Sequence, residues 1–207
     1  MQTISSLETC GATHRKKKAR VYPFYEIDGQ ANGRLKCSNS FKSCFNPHSL
    51  GIDEREALRP PFFDWKFMVF DFKHHEASVL QWLSQDDYMG EILNSHDDFY
   101  GAIWKAITHQ EGEEARTRCK DSFLPVVYGM GAEALGQRLT WSTAVAKQLM
   151  DRMAKTMPIA FSWIKQQSES LQDGFGTDCF GRRRYFDTPY KSRNFFVQSP
   201  AALNCLH

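Results

Sequence analysis

The spacing of apolar positions changes along this 207-residue chain. From about residue 89 to 172, apolar side chains recur three and four residues apart, which predicts helices separated by short breaks. Ser142 or Thr143 is placed to cap a helix running through "AVAKQLMDRMAKTM". Pro158 interrupts that helix, and "AFSWIKQQSESLQ" resumes the period until Asp173-Gly174. Further upstream, "HHEASVLQWLSQDD" places Ala77, Leu80 and Leu83 on one helical face. The preceding run, "DWKFMVFDF" from Asp64 to Phe72, is aromatic and β-branched and predicts a buried strand. Asp71 would then stand where strand hands over to helix, an edge from which a side chain reaches a cleft. The same residue suits an N-cap for the helix that follows.

The remaining segments are shorter in period. Residues 1 to 19 form a polar arm, and residues 20 to 60 are rich in Gly, Asn, Ser and Pro, which predicts short strands and loops. "GFGTDCFGRRRYFD" predicts a hairpin with Gly181-Arg182 at its turn, and a final helix opens at Asn194.

Composition sets loose bounds. The length suits one domain or a unit with an appended subdomain, and the net charge of +2 carries no global signal for nucleic acid. The basic run His14-Arg15-Lys16-Lys17-Lys18-Ala19-Arg20 is a solvated arm or a phosphate-seeking one. None of the six cysteines forms a CxxC pair, so a disulfide framework or four-cysteine zinc site is not expected, and Cys37, Cys44 and His48 match no common metal spacing. No apolar leader core opens the chain and no stretch approaches a membrane span. A cytoplasmic, reducing location without membrane partners is the expectation.

The chemistry concentrates in "RTRCKDSFLPVVYGMG", residues 116 to 131. Arg116, Lys120, Leu124 and Tyr128 are four apart, so a helix stacks them on one face: cationic, then apolar, then aromatic. That stripe suits a nucleotide, with phosphates at one end and a flat ring at the other. A surface helix with two solvated cations and a buried Tyr has the same spacing. Phosphates need hard cations, and Mg²⁺ takes one or two carboxylates plus phosphate oxygens. Asp71 is the candidate carboxylate.

These pieces, in their order along the chain, resemble the polymerase region of the family A DNA polymerases, the bacterial DNA polymerase I type. "RVYPFYEIDGQANGRL" resembles the opening of the family's palm, and "DFKHHE", Asp71 to Glu76, resembles motif A. "RTRCKDSFLPVVYGMG" is similar to motif B, Arg-x3-Lys-x7-Tyr-Gly, of the fingers. "FGRRRYF" resembles the Gly-Arg-Arg turn after the fingers, and "NFFVQSPAA" the Asn-x3-Gln of the primer-binding helix.

The resemblance implies an α+β fold: a partial antiparallel palm sheet containing the strand that ends at Asp71, with a helical fingers subdomain. The palm would begin at 20–88, the fingers span 89–176, and residues 177–207 return to the palm. It implies template-directed deoxynucleotidyl transfer to a primer 3′ end, in replication or repair, with Mg²⁺ as cofactor. Primer-template DNA and deoxynucleoside triphosphates would be its partners. Asp71 and the carbonyl of Phe72 would hold metal. Arg116 and Lys120 would bind triphosphate, and Lys120 would stabilise departing pyrophosphate. Tyr128 would stack near the nascent base pair, and Glu76, lying against it, would crowd the sugar's 2′ position. Arg34, Asn194 and Gln198 would touch the duplex minor groove, where correct pairs present similar acceptors. Arg34 contacting only phosphate, and Asn194 capping its helix, are the plainer alternatives.

Four departures mark a divergent, phage-like branch. Leu124 stands where the family carries an aromatic ring on the sugar, and Tyr100 replaces a family His, so it can donate a hydrogen bond to phosphate but carries no charge at neutral pH. His74 takes a usual Gln position, and Pro125 should kink the motif B helix. The chain also ends before the family's His-Asp-Glu hairpin, motif C, and no Asp or Glu follows Asp187. The expectation is therefore little polymerase activity from this chain alone. It would be one half of a split polymerase completed by a C-terminal fragment, a truncated gene, or a non-catalytic DNA-binding remnant. An open palm-sheet edge would accompany that absence.

Overall fold

The computed structural model describes residues 23–26, 30, 32–38, 46–95 and 98–204. The basic arm, Cys10, Cys44 and Cys205 lie outside them. Two compact units divide between Asp71 and Phe72.

In the first unit, β1 (Phe24–Glu26) pairs antiparallel with β2 (Lys36–Ser38), with Tyr25 opposite Cys37. A 3₁₀ turn at Pro47–Ser49 is capped by Asn46, whose side chain accepts from the His48 amide, and a single helical turn, α1 (Ile52–Arg55), follows. The expected buried strand at 64–72 does not form. That run has no regular structure, and Phe63, Met68, Val69 and Phe70 are exposed. Aromatic and β-branched content favours a strand only where a neighbour supplies ladder bonds and a packing surface. No described strand pairs with this run, and the antiparallel pairing of the expected α+β fold is carried by two two-stranded sheets among the described residues.

The second unit is helical: α2 (His75–Ser84), α3 (Asp87–Ser95), α4 (Phe99–Thr108), α5 (Glu113–Val127), α6 (Ala132–Leu139), α7 (Thr143–Thr156) and α8 (Pro158–Glu169). A hairpin, β3 (Phe175–Thr177) with β4 (Arg183–Tyr185), then leads through a 3₁₀ turn at Pro189–Ser192 to α9 (Arg193–Asn204). Ser142 caps α7 by accepting from the Val145 amide, and Pro158 opens α8 at its first position, where a missing N–H costs nothing. Helix α4 packs on α5, α6 on α7, and α9 on both α2 and α8. Between them lie Phe99, Ile103, Trp104, Phe123, Leu135, Met153, Ile164 and Phe195, all essentially without exposure.

One residue ties this bundle together in a way its sequence hides. Asp86 is buried, and its Oδ1 accepts from the Met89 amide at the start of α3 while Oδ2 accepts from the Ala160 amide at the start of α8, each at 3.0 Å. A single carboxylate caps two helices 74 residues apart.

Candidate functional site

Helix α5 carries the motif of residues 116–128. Its buried face is Ala115, Cys119, Ser122, Phe123, Val126 and Val127, which leaves Arg116, Lys120 and Leu124 partly or fully exposed on the other. Glu113 and Glu114 in the first turn suit the positive end of the helix dipole. The helix ends in paired bonds, Gly129 N–H to the Val126 carbonyl and Met130 N–H to the Pro125 carbonyl. Gly129 holds φ at +98°, a conformation that L side chains avoid, which explains the glycine after Tyr128. Pro125 lies in this last turn, and the helix closes two residues beyond it.

Both cations of this motif have partners. Arg116 Nε donates to Asp98 Oδ1 at 3.0 Å and its Nη1 to Glu113 Oε1 at 3.1 Å, and Asp98 first of all holds the guanidinium pKa above its ordinary value. Asp98 reaches it by lying over Gly101, where any Cβ would meet the carboxylate. The Lys120 ammonium sits 5.9 Å from the Tyr100 ring centroid, a cation–π approach. Burial, reinforced by the Cys119 and Glu76 charges, pushes the Tyr100 phenol up to about 12, so it stays a neutral donor. Tyr100, Arg116 and Lys120 thus share one region of α4 and α5.

Glu76, in the first turn of α2, is the second focus. Its Oε2 accepts from the Tyr128 hydroxyl at 2.6 Å and from the Gln198 side-chain amide at 3.3 Å. Three segments far apart in sequence therefore converge on one carboxylate oxygen. The Glu76–Tyr128 contact agrees with the sequence expectation; the Gln198 bond has no signal in spacing. Asn194 is exposed one turn before Gln198, the second residue of α9 and not its cap. Leu124 is half-buried against the core.

Asp71 and Arg34 belong to the first unit and both are exposed; Phe72 opens the second and stacks on His75 with ring centroids 4.5 Å apart. Among the described residues no group of three or more His, Cys, Asp or Glu is placed to hold a metal ion. The two-ion site implied by the resemblance has no complete donor set there. Sequence reasoning also missed Asp98 and Glu113 as partners of Arg116; Glu113, three residues earlier on α5, carried a spacing signal, whereas Asp98 lies on another segment.

The second unit therefore sets Arg116 and Lys120 beside the neutral Tyr100 phenol and joins Glu76 of α2 to Tyr128 at the end of α5. The family model for DNA polymerase family A matches residues 2–206, and the chain belongs to that family. It is 27% identical over 176 residues to DNA polymerase I of Synechocystis sp., covering 81% of this chain and 17% of the relative. It is 26% identical over 140 residues to DNA polymerase theta of Mus musculus, covering 63% and 6% respectively. Among solved structures, the POL domain of Pol1 from M. smegmatis, in complex with DNA primer-template and dNTP, superposes with a TM-score of 0.70 at 20% identity. That likeness covers 96% of this chain and 36% of the other, and shows the fold. The chain thus spans about a sixth of the length of the first of these curated relatives.

Proposed function

We propose that this chain contributes palm and fingers elements to a DNA-directed DNA polymerase, which transfers deoxynucleotides to a primer 3′ end under template direction. Residues 20–88 and 177–207 belong to the palm in this reading, and 89–176 to the fingers. The observation that carries it is the convergence of Tyr128 and Gln198 on Glu76, which joins three motif segments in one place. Arg116 and Lys120 hold the triphosphate beside Tyr100. Leu124 meets the sugar, Tyr128 stacks on the base pair, and Glu76 screens the 2′ position. Asn194 and Gln198, with Arg34, read duplex shape.

Mg²⁺ enters as the family's usual cofactor. Asp71 and the Phe72 carbonyl are the groups offered to it, and one carboxylate with phosphate oxygens is a sufficient set for a single Mg²⁺. The ion would supply charge neutralisation at the phosphates. No described helix is long and apolar enough to cross a membrane, and a cytoplasmic setting in a bacterial or phage-infected cell belongs to the same proposal.

Primer extension tests it, run with this chain alone and with a separately supplied C-terminal polymerase fragment carrying a His-Asp-Glu hairpin. Extension in the mixture that disappears with Asp71→Ala supports the enzyme reading. Retained duplex binding without extension in either arm would favour the alternative, a DNA-binding remnant. Extension that persists with Asp71→Ala would remove Asp71 from its role.

A further inference from the structure

The hairpin turn between β3 and β4 carries a polar cluster that the reading above does not use. Asp178 is buried, 6% exposed, at the start of that turn. Its Oδ1 accepts from the Phe180 amide at 3.0 Å and from the Arg182 amide at 2.9 Å. Its own amide donates to the Arg182 carbonyl at 2.9 Å, so the Arg182 backbone is held on both sides. The remaining oxygen, Oδ2, accepts from the Ser199 hydroxyl of α9 at 2.6 Å. Ser199 is fully buried, and its oxygen in turn accepts from Arg182 Nη1 at 3.2 Å.

The order of donors has a consequence. Ser199 has one hydrogen to give, and Asp178 takes it, which leaves the serine lone pairs to the guanidinium. A buried carboxylate therefore sets the polarity of a relay that ends on a cation. Ser199 follows Gln198 on α9, and Gln198 is the residue proposed to meet the duplex. We propose that Asp178 and Ser199 are positioning residues that aim the Arg182 guanidinium beside Gln198, making Arg182 a contact to the duplex backbone. This rests on the reading of α9 as a duplex-facing helix.

Two measurements on the full 207-residue chain separate the parts. In fluorescence anisotropy with a mixed-sequence DNA duplex, Ser199→Ala should weaken binding about fivefold where Arg182 is present, and almost not at all where Arg182→Gln has been made. Asp178→Asn, which keeps an acceptor for the turn amides but offers Ser199 an N–H donor, should behave the same way. Equal losses in both Arg182 backgrounds, or no loss in either, would overturn the proposal. Independently of DNA, low-temperature NMR of the Arg182 Nη protons should show slowed solvent exchange that quickens with Ser199→Ala while the backbone spectrum is kept. Unchanged exchange overturns the relay. A chain that binds no duplex refutes the duplex reading and Arg182's part in it, while the exchange result still decides the geometry.

Discussion

Individual side chains here are pulled in two directions, and the balance can be read with substitutions of opposite sign. Arg116 is shared between Asp98, Glu113 and, in the proposed function, a triphosphate. Asp98→Asn removes a competitor and should tighten binding of a deoxynucleoside triphosphate about threefold, whereas Lys120→Ala should weaken it about tenfold, ~1.4 kcal/mol. Titration calorimetry with the triphosphate checks both; a loss with Asp98→Asn would mean that Asp98 aims Arg116 instead of occupying it. The Tyr128–Glu76 bond is a hydrogen bond to a carboxylate at a half-buried site, so Tyr128→Phe should cost about 1 kcal/mol in urea unfolding. Tyr100 and Cys119 give a pH signature. Burial raises the phenol from 10.0 to about 12 and the thiol from 9.0 to about 12, so the fold favours both neutral forms. Their contribution to stability is whole below the ordinary pKa values and is lost as pH climbs from about 9 towards 12. Unfolding free energy measured across that window should fall less steeply in Tyr100→Phe than in the parent chain.

Among elements, the sequence was legible where one period dominates. The stripe through α5, the Ser142 cap, the Pro158 break and the turn at Gly181 are local signals, and the local backbone obeys them. The run at 64–72 shows the limit, since its residue types describe a surface that wants a partner, and partnership is not local information. The same limit hid Asp86, because nothing near it in sequence announces a second helix start 74 residues on. Its burial makes the cost specific: Asp86→Ala leaves amides at two helix ends without a side-chain acceptor and should remove about 2 kcal/mol, more than a single surface cap. Asp86→Asn, which can satisfy only one end as an acceptor, should fall between. Thermal unfolding of the three proteins orders them, and an unchanged midpoint for Asp86→Ala would show that the double cap carries no weight.

For the whole molecule, the candidate site was legible in residue types and in one contact, Glu76 with Tyr128, and not in its other pairings. The motif residues could be named from their order, but Gln198 on Glu76, Asp98 on Arg116 and Ser199 on Asp178 arise only where helices meet. The division between Asp71 and Phe72 matters most at this scale, because the proposed metal carboxylate closes one unit and every proposed nucleotide contact lies in the other. The chain leading to that division, from Phe62 to Phe72, is aromatic, exposed and without regular structure. Exposed backbone free of ladder bonds is open to a protease cleft, and Phe62, Phe63, Trp65, Phe67, Met68, Phe70 and Phe72 are side chains chymotrypsin accepts. Limited digestion should therefore cut first between residues 62 and 72 and leave a fragment beginning near Phe72. That fragment contains all of α2 to α9 with their shared core, so its far-ultraviolet circular dichroism should keep the helical signal of the parent. First cleavage inside α4 or α5 instead would show that the helical unit is less stable than the segment before it.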